Sequence, residues 1–306
     1  MAETMPAPSE DMEPTERGFM VGVGEGRLAY ARWEHPNPRG RVVISHGYGE
    51  HGERYRHMAQ WLNRAGWSVS AMDHRGFGRS GGIRGDAAGI RGPVEDLTFF
   101  LRQERARDVE RAPAMPQVIL GHSFGGLVAL LALLWHPETM EALIVTSPAL
   151  KLRDLPLPMK VLQQLFTWLA PHRPLGLAGN KALVCSDPAM VQRYLEDPLC
   201  HHLISAGFVA AMLEGQRELL PYGAELDRPI LLLEAGADCV VDPDGAEALW
   251  SAVRPDLLRR HRLEGFYHEI LHDLGRVEAQ RLAGQWLDGL FPVEKETPAQ
   301  PTAMFE

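Results

Sequence analysis

Residues 117–135 read QVILGHSFGGLVALLALLW, and the reading of this stretch decides the fold. Gln117 to Gly121 is a short apolar run of strand length, and Leu127 to Trp135 is a Leu- and Ala-rich run of helix length. Between them stands GHSFGG, residues 121–126. A Ser between two glycines at a strand-to-helix junction is the pattern of a nucleophile elbow. So tight a turn strains the Ser backbone, and side chains at the flanking positions would collide with it, so Gly121 and Gly125 meet a steric need. The turn lifts the Ser123 hydroxyl clear of the sheet, where a base and a substrate both reach it. The competing reading is a Gly-rich loop with a helix-capping Ser, since a Gly-x-Ser-x-Gly match arises by accident in a chain holding 30 Gly.

Outward from the elbow, strands and helices alternate. Arg41–Ser45 (RVVIS) and Trp67–Asp73 (WSVSAMD) read as buried strands before it. Ala142–Thr146 (ALIVT), Pro229–Glu234 (PILLLE) and Arg259–Leu263 follow it. Residues 54–65 and 94–111 have helical spacing. Phe19–Val23 and Arg27–Trp33 flank Gly24-Glu25-Gly26 as a hairpin. The alternation predicts an α/β fold, a mostly parallel sheet covered by helices on both faces. Residues 148–225 break the rhythm with many prolines, short helical patterns and no convincing strand. They read as an insertion after a strand C-terminus, the edge where open α/β sheets place their sites, and are expected to overhang Ser123 as a cap. The expected organisation is an acidic disordered tail over 1–17, a core over 18–147 and 226–291, a helical cap or lid over 148–225 and a flexible tail over 292–306.

Composition narrows the function. Hydrophobic residues at 45% and charged residues at 23% are ordinary for a soluble globular chain of 306 residues. Most of the net charge of −9 sits in the tails, which hold five acids and one Arg over 1–17 and three acids and one Lys over 293–306. The near-neutral body has no basic stripe, so neither nucleic acid nor strong attraction to anionic lipid is expected. No apolar run approaches membrane-spanning length. The N-terminus has acids where a signal peptide has bases, so a cytoplasmic location is the default. Cys185, Cys200 and Cys239 are far apart and odd in number, which argues for reduced thiols.

A Ser hydroxyl needs a His to take its proton, and that His needs a carboxylate to fix its tautomer. In elbow-based folds the chain order runs Ser, acid, His. For the acid, Asp238 lies just beyond the strand PILLLE, with Asp242 and Asp244 as rivals and a turn Asp as the bland reading. For the base, His268 follows a Gly-containing turn after the last strand and precedes an apolar helical pattern. His272, His261 and a surface-loop role are its alternatives. For the oxyanion hole, the loop HGYGEHGERY (46–55) follows RVVIS, so the backbone N–H groups of Tyr48 and Phe124 are the candidate donors. His46, His51 and His57 raise a metal alternative, but their spacing fits no familiar ligand pattern. No metal and no cofactor is expected.

HGYGEH (46–51), MDHRGFGRSGG (72–82), GHSFGG, SPAL (147–150), DPAMVQRYLEDPL (187–199), GAD (236–238) and EGFYH (264–268) occur in this order. Together they resemble the monoacylglycerol lipase/lysophospholipase branch of the α/β-hydrolases, over roughly residues 18 to 291. The resemblance implies an eight-stranded sheet with an antiparallel second strand and a helical cap. It assigns the nucleophile to Ser123, the acid to Asp238, the base to His268 and the oxyanion donors to Tyr48 and Phe124. Tyr48 is a departure, because the branch often carries a smaller residue there. A backbone donor survives the change, while the bulk is expected to narrow the pocket.

In the insertion, Val161, Leu162, Leu165, Phe166, Trp168 and Leu169 form a broad apolar face at helical spacing over 156–170. It reads either as a lid over an acyl tunnel or as a face packed on the core. With only Lys160 basic in that stretch, any membrane contact is expected to be apolar and weak. The expected function is hydrolysis of a single-chain lipid ester, a monoacylglycerol or lysophospholipid. An acyltransferase with the same triad, a carboxylesterase or peptidase with a non-lipid substrate, and a ligand receptor on the same scaffold are the alternatives. Oligomeric state is not legible.

Overall fold

A computed structural model of the chain describes residues 12–24, 26–87, 89–109, 115–153, 168–176 and 183–292. In chain order the elements are β1 (Glu16–Val21), β2 (Arg27–Trp33), β3 (Gly40–Ser45), α1 (Arg56–Arg64), β4 (Trp67–Met72), α2 (Arg91–Val109), β5 (Gln117–His122), α3 (Phe124–Trp135) and β6 (Ala142–Thr146). Then come β7 (Leu175–Gly176), α4 (Pro188–Glu196), β8 (Leu203–Ile204), α5 (Ala206–Leu219), β9 (Ile230–Ala235), α6 (Glu247–Ala252), β10 (Leu258–Leu263) and α7 (Arg276–Leu290).

Eight strands form one sheet in the order β1-β2-β4-β3-β5-β6-β9-β10. β2 runs antiparallel to both neighbours, and the pairs from β4 to β10 are parallel. The inner strands β3, β4, β5, β6 and β9 are buried at every residue. That is why they read as continuous apolar runs rather than alternating ones. Their side chains nevertheless divide by parity. Val43, Ile119, Leu143 and Leu232 face a layer holding Leu97, Phe100, Leu127 and Leu130 from α2 and α3. Val42, Val118, Ile144 and Leu231 face Met58, Leu62, Ala279 and Ala283 from α1 and α7.

The two outer strands differ in kind from the inner ones. β1 alternates half-buried and exposed residues, and Arg17 at its start pairs with Glu53. β10 reads LRRHRL, with Arg260 paired to Glu234 and Glu247 and Arg262 to Asp244.

Several elements depart from expectation. β1 starts at Glu16, before the expected start of the core at residue 18, because the Thr15 N–H already donates to the Arg32 carbonyl and Arg32 pairs with Glu16. The residues after His268 form turns, not a helix, and α7 begins only at Arg276. There the Asp273 carboxylate accepts the Tyr267 and Gly275 N–H groups and the Ser186 hydroxyl, which holds the chain in a turn while Ile270 and Leu271 are buried. Among the described residues between β6 and β9 there is one strand pair, β7 with β8, only two residues each and too short for any periodicity to reveal. Of the apolar stripe read over 156–170, Val161, Leu162, Leu165 and Phe166 lie outside the described residues, while Trp168 and Leu169 are 81% and 61% exposed. No helix among the described residues is long and apolar enough to cross a membrane.

Candidate active site

The elbow is built where β5 gives way to α3. Ser123, between them, has φ 50° and ψ −115°. Only Ser123 and Ser147 have positive φ among the described non-Gly residues, and such strain persists only where surroundings enforce it. The Ser123 carbonyl accepts from the N–H groups of Gly126, Leu127 and Ala149, and its own N–H donates to the Thr146 carbonyl. The glycines are needed for close approach. A Cβ on Gly125 would lie 2.1 Å from the Ser45 carbonyl oxygen and 2.4 Å from that of His46, and one on Gly121 would lie 2.8 Å from the Gly125 oxygen. The collision that Gly125 avoids is thus with the end of β3 rather than with Ser123 itself.

The Ser123 hydroxyl makes no capping bond to α3, which removes the helix-cap reading. It lies instead 2.9 Å from His268 Nε2. His268 Nδ1 lies 2.7 Å from Asp238 Oδ2, and Asp238 Oδ1 accepts from the N–H groups of Val240 and Val241 at 2.8 and 2.9 Å. All three residues are buried. Burial alone would raise the Asp238 carboxyl, but the His268 hydrogen bond and charge, together with the two amides, outweigh it and hold the group below its ordinary value. With Asp238 ionised, Nδ1 of His268 carries the proton and Nε2 offers its lone pair to the Ser123 hydroxyl.

The rivals are engaged elsewhere. Asp242 caps the turn at Pro243 by accepting the Asp244 N–H, and Asp244 pairs with Arg262. His272 is buried with Nε2 at 3.3 Å from the Arg54 carbonyl, and His261 is half-buried in β10. Among the described residues, His46, His51 and His57 do not come together as one ligand set; His51 lies instead beside Asp197 and Cys200. His46 bonds the Gly47 carbonyl and the His74 N–H, His51 bonds Asp197, and His57 bonds the Leu271 carbonyl.

The loop after β3 lies directly over the elbow, since a Cβ on Gly47 would come within 3.4 Å of the Ser123 Cβ. Among the described residues, neither the Tyr48 nor the Phe124 N–H donates to a protein acceptor. Two unengaged amides beside a reactive hydroxyl are what an oxyanion hole requires. The Tyr48 side chain packs against Phe77 and Phe208, and its hydroxyl donates to the Leu203 carbonyl at 2.8 Å.

Three contributors escape sequence reasoning. Glu50 is buried and accepts the Gly47 N–H and the Tyr55 hydroxyl, both at 2.7 Å. Burial would raise its carboxyl, but the buried Arg54 guanidinium pairs with it and holds it far below the ordinary range. His122 is buried with its ring centroid 5.0 Å from that of His268. Ala149 fixes the Ser123 carbonyl from within SPAL. All three stand in stretches quoted from the sequence, HGYGEH, GHSFGG and SPAL, but nothing local in those stretches marks the role of any of them.

The sequence pattern of a family described as serine aminopeptidase, S33, matches residues 36–275. The chain is 33% identical over 262 residues to a monoacylglycerol lipase of Mycolicibacterium smegmatis, covering 85% of this chain and 91% of that one. The chain belongs to this hydrolase family. Within it the chain falls in the monoacylglycerol lipase-like branch, and it is a serine hydrolase of the α/β-hydrolase fold. It is also 30% identical over 261 residues to a monoglyceride lipase of Rattus norvegicus, covering 83% and 84% of the two chains. Among solved structures, a monoacylglycerol lipase of Paleococcus ferrophilus superposes with a TM-score of 0.76 at 28% identity, covering 86% of this chain and 98% of that one. A soluble monoglyceride lipase variant from Saccharomyces cerevisiae superposes with a TM-score of 0.81 over 95% and 100% of the chains, and at 19% identity it speaks for the fold alone.

Proposed function

We propose that this protein hydrolyses esters of single-chain lipids, a monoacylglycerol or a lysophospholipid, through an acyl-enzyme on Ser123. The observation that carries the reading is the unbroken relay from Asp238 through His268 to the Ser123 hydroxyl, with links of 2.7 and 2.9 Å. The names of the relatives supply the lipid-ester class. Ser123 Oγ attacks the ester carbonyl while His268 Nε2 takes its proton. The tetrahedral oxyanion is held by the N–H groups of Tyr48 and Phe124, each such donor being worth about 3 kcal/mol at the transition state. His268 then gives the proton to the leaving alcohol. Water, deprotonated by the same nitrogen, attacks the acyl-Ser123 ester, and the fatty acid leaves. Asp238 stays ionised and stabilises the imidazolium.

In this reading residues 148–225 cap the site, and exposed Trp168 and Leu169 make the weak apolar contact with a lipid surface. The family description favours one rival, amide hydrolysis by an aminopeptidase. Labelling with a fluorophosphonate probe, followed by parallel assays of monoacylglycerols, lysophospholipids, short p-nitrophenyl esters and peptide amides, tests the proposal. Wild-type labelling with none in Ser123→Ala, and lipid esters outrunning peptide amides, are expected. Undiminished labelling of Ser123→Ala would sink the mechanism. Faster cleavage of peptide amides would sink the substrate class. An added glycerol acceptor that diverts most of the acyl group would move the assignment to acyl transfer.

A further inference from the structure

The amide of Tyr48 is held from two sides. From the core, His46 donates from Nδ1 to the Gly47 carbonyl at 2.7 Å, because its Nε2 is occupied as acceptor of the His74 N–H. Glu50 takes the Gly47 N–H. Because a trans peptide points its C=O and N–H in opposite directions, fixing the Gly47 carbonyl aims the Tyr48 N–H. The second side is the short segment His201–Ser205. The His201 N–H donates to the Gly49 carbonyl at 3.0 Å, and the Leu203 carbonyl accepts the Tyr48 hydroxyl. His51, at the end of the same loop, bonds Asp197 just before that segment at 2.8 Å.

The segment is itself strapped across the loop that follows β4. His201 stacks on Phe77 with ring centroids 5.1 Å apart, and its Nε2 lies 3.2 Å from the Gly76 carbonyl. The Ser205 N–H donates to the Gly85 carbonyl, and the Ser205 hydroxyl bonds Asp86. Gly85 has φ +72°, and a Cβ there would lie 1.8 Å from the Leu203 oxygen, so the strap touches backbone directly. Through β8 it pairs with β7, which joins it to the rest of the segment between β6 and β9.

We propose that the Tyr48 phenol is a tether through which the position of the 201–205 strap sets the oxyanion hole, making Tyr48 a positioning residue through its side chain as well as a donor through its backbone. The inference rests on the oxyanion role proposed for the Tyr48 N–H. The tether consists of the ring, which spans from the loop to the strap, and the single bond from its hydroxyl to Leu203. A displaced strap draws the ring, and with it the amide, away from Ser123. The site is thereby competent only when the segment above it is seated, which is a means of regulation by whatever moves that segment.

Tyr48→Phe tests this with the least disturbance, because it keeps the amide and the ring and removes only the bond to Leu203. With a p-nitrophenyl ester, kcat should fall about three- to tenfold while KM stays nearly constant, the range expected for one hydrogen bond lost in positioning. Fluorophosphonate labelling of Ser123 should slow in the same proportion, since its phosphoryl oxygen occupies the oxyanion position. Amide hydrogen exchange should rise together over 46–51 and 201–205, with no comparable rise in β5. Ser205→Ala, which loosens the strap by removing its hydroxyl bond to Asp86 and leaves the Tyr48 side chain in place, should also lower kcat, and the double variant should lose less than the product of the two effects. Unchanged kcat and labelling in Tyr48→Phe, a loss confined to KM, or fully multiplicative effects would overturn the tether. Ser123→Ala separates the two ideas: if it still labels, the site assignment beneath the tether has failed, and if only wild-type Ser123 labels while Tyr48→Phe is unaffected, the tether alone has failed.

Discussion

Two buried histidines in this molecule each hold a carboxylate at nearly the same distance. His268 meets Asp238 at 2.7 Å, and His51 meets Asp197 at 2.8 Å. Their surroundings separate them. Asp238 is almost fully enclosed and accepts two backbone amides besides His268, whereas the Asp197 side chain is 28% exposed and accepts one, from Leu199. At the far nitrogen the contrast is complete. His268 Nε2 meets a hydroxyl at 2.9 Å, while His51 Nδ1 is buried without a hydrogen-bond partner. A histidine–carboxylate pair is therefore common material. It gains chemistry only where a strained turn brings a nucleophile to its open nitrogen. Elsewhere it clips one loop to another, as His51 and Asp197 join the loop after β3 to the end of α4.

The widest gap between the pairs should appear in Asp238→Asn, which keeps the shape but disturbs the His268 tautomer. A loss of about 10⁴-fold in kcat is expected, with Asp242→Asn nearly unaffected. Steady-state kinetics on one ester decides it, and the reverse result would move the acid to Asp242. Asp197→Asn should leave kcat within about threefold of wild type and cost about 1 kcal/mol of stability, since the pair is partly exposed. Urea unfolding beside the same kinetic assay measures both, and a large kcat loss at unchanged stability would erase the distinction drawn between the pairs.

The smallest effect concerns acid stability. The His51 hydrogen bond lowers the Asp197 carboxyl. Asp238 is lowered against its burial by His268 and the amides. A carboxyl lowered in the folded state contributes stability that is complete above its unfolded value, near pH 4, and is lost as the pH falls through its folded value. The stability difference between wild type and either Asn variant should therefore shrink as the pH drops from about 5 toward 2. Equilibrium unfolding across that range checks it. A difference that grows on acidification would mean that the carboxylates are not favoured in the folded state.

What the sequence made legible follows from range. The inner strands announce themselves because both faces are buried, so β3, β5 and β9 are plain apolar runs. Gly121, Ser123 and Gly125 are legible because the elbow is a local steric problem. Asp238 and His268 are legible through chain order and strand ends. The placing of the Tyr48 loop over the elbow was legible, but the Tyr48 hydroxyl bond to Leu203 was not, because it joins positions 155 residues apart. Ala149 and His122 escaped for the same reason. The stretch after His268 misled because Ile270, Leu271 and Leu274 stand three and four residues apart as on a helix face, yet the Asp273 carboxylate gathers the turn before a helix forms.

The outermost strands carry one more consequence. An open sheet presents unpaired backbone at both edges, an invitation to another chain. β10 lines its edge with Arg259, Arg260, His261 and Arg262, and β1 begins with Glu16 and Arg17. An incoming strand would have to meet a row of guanidinium groups on one side or a Glu-Arg start on the other. Continuation of the sheet from molecule to molecule is opposed by charge along β10, while β1, which exposes Phe19 and Val21 beyond its charged start, is the less guarded end.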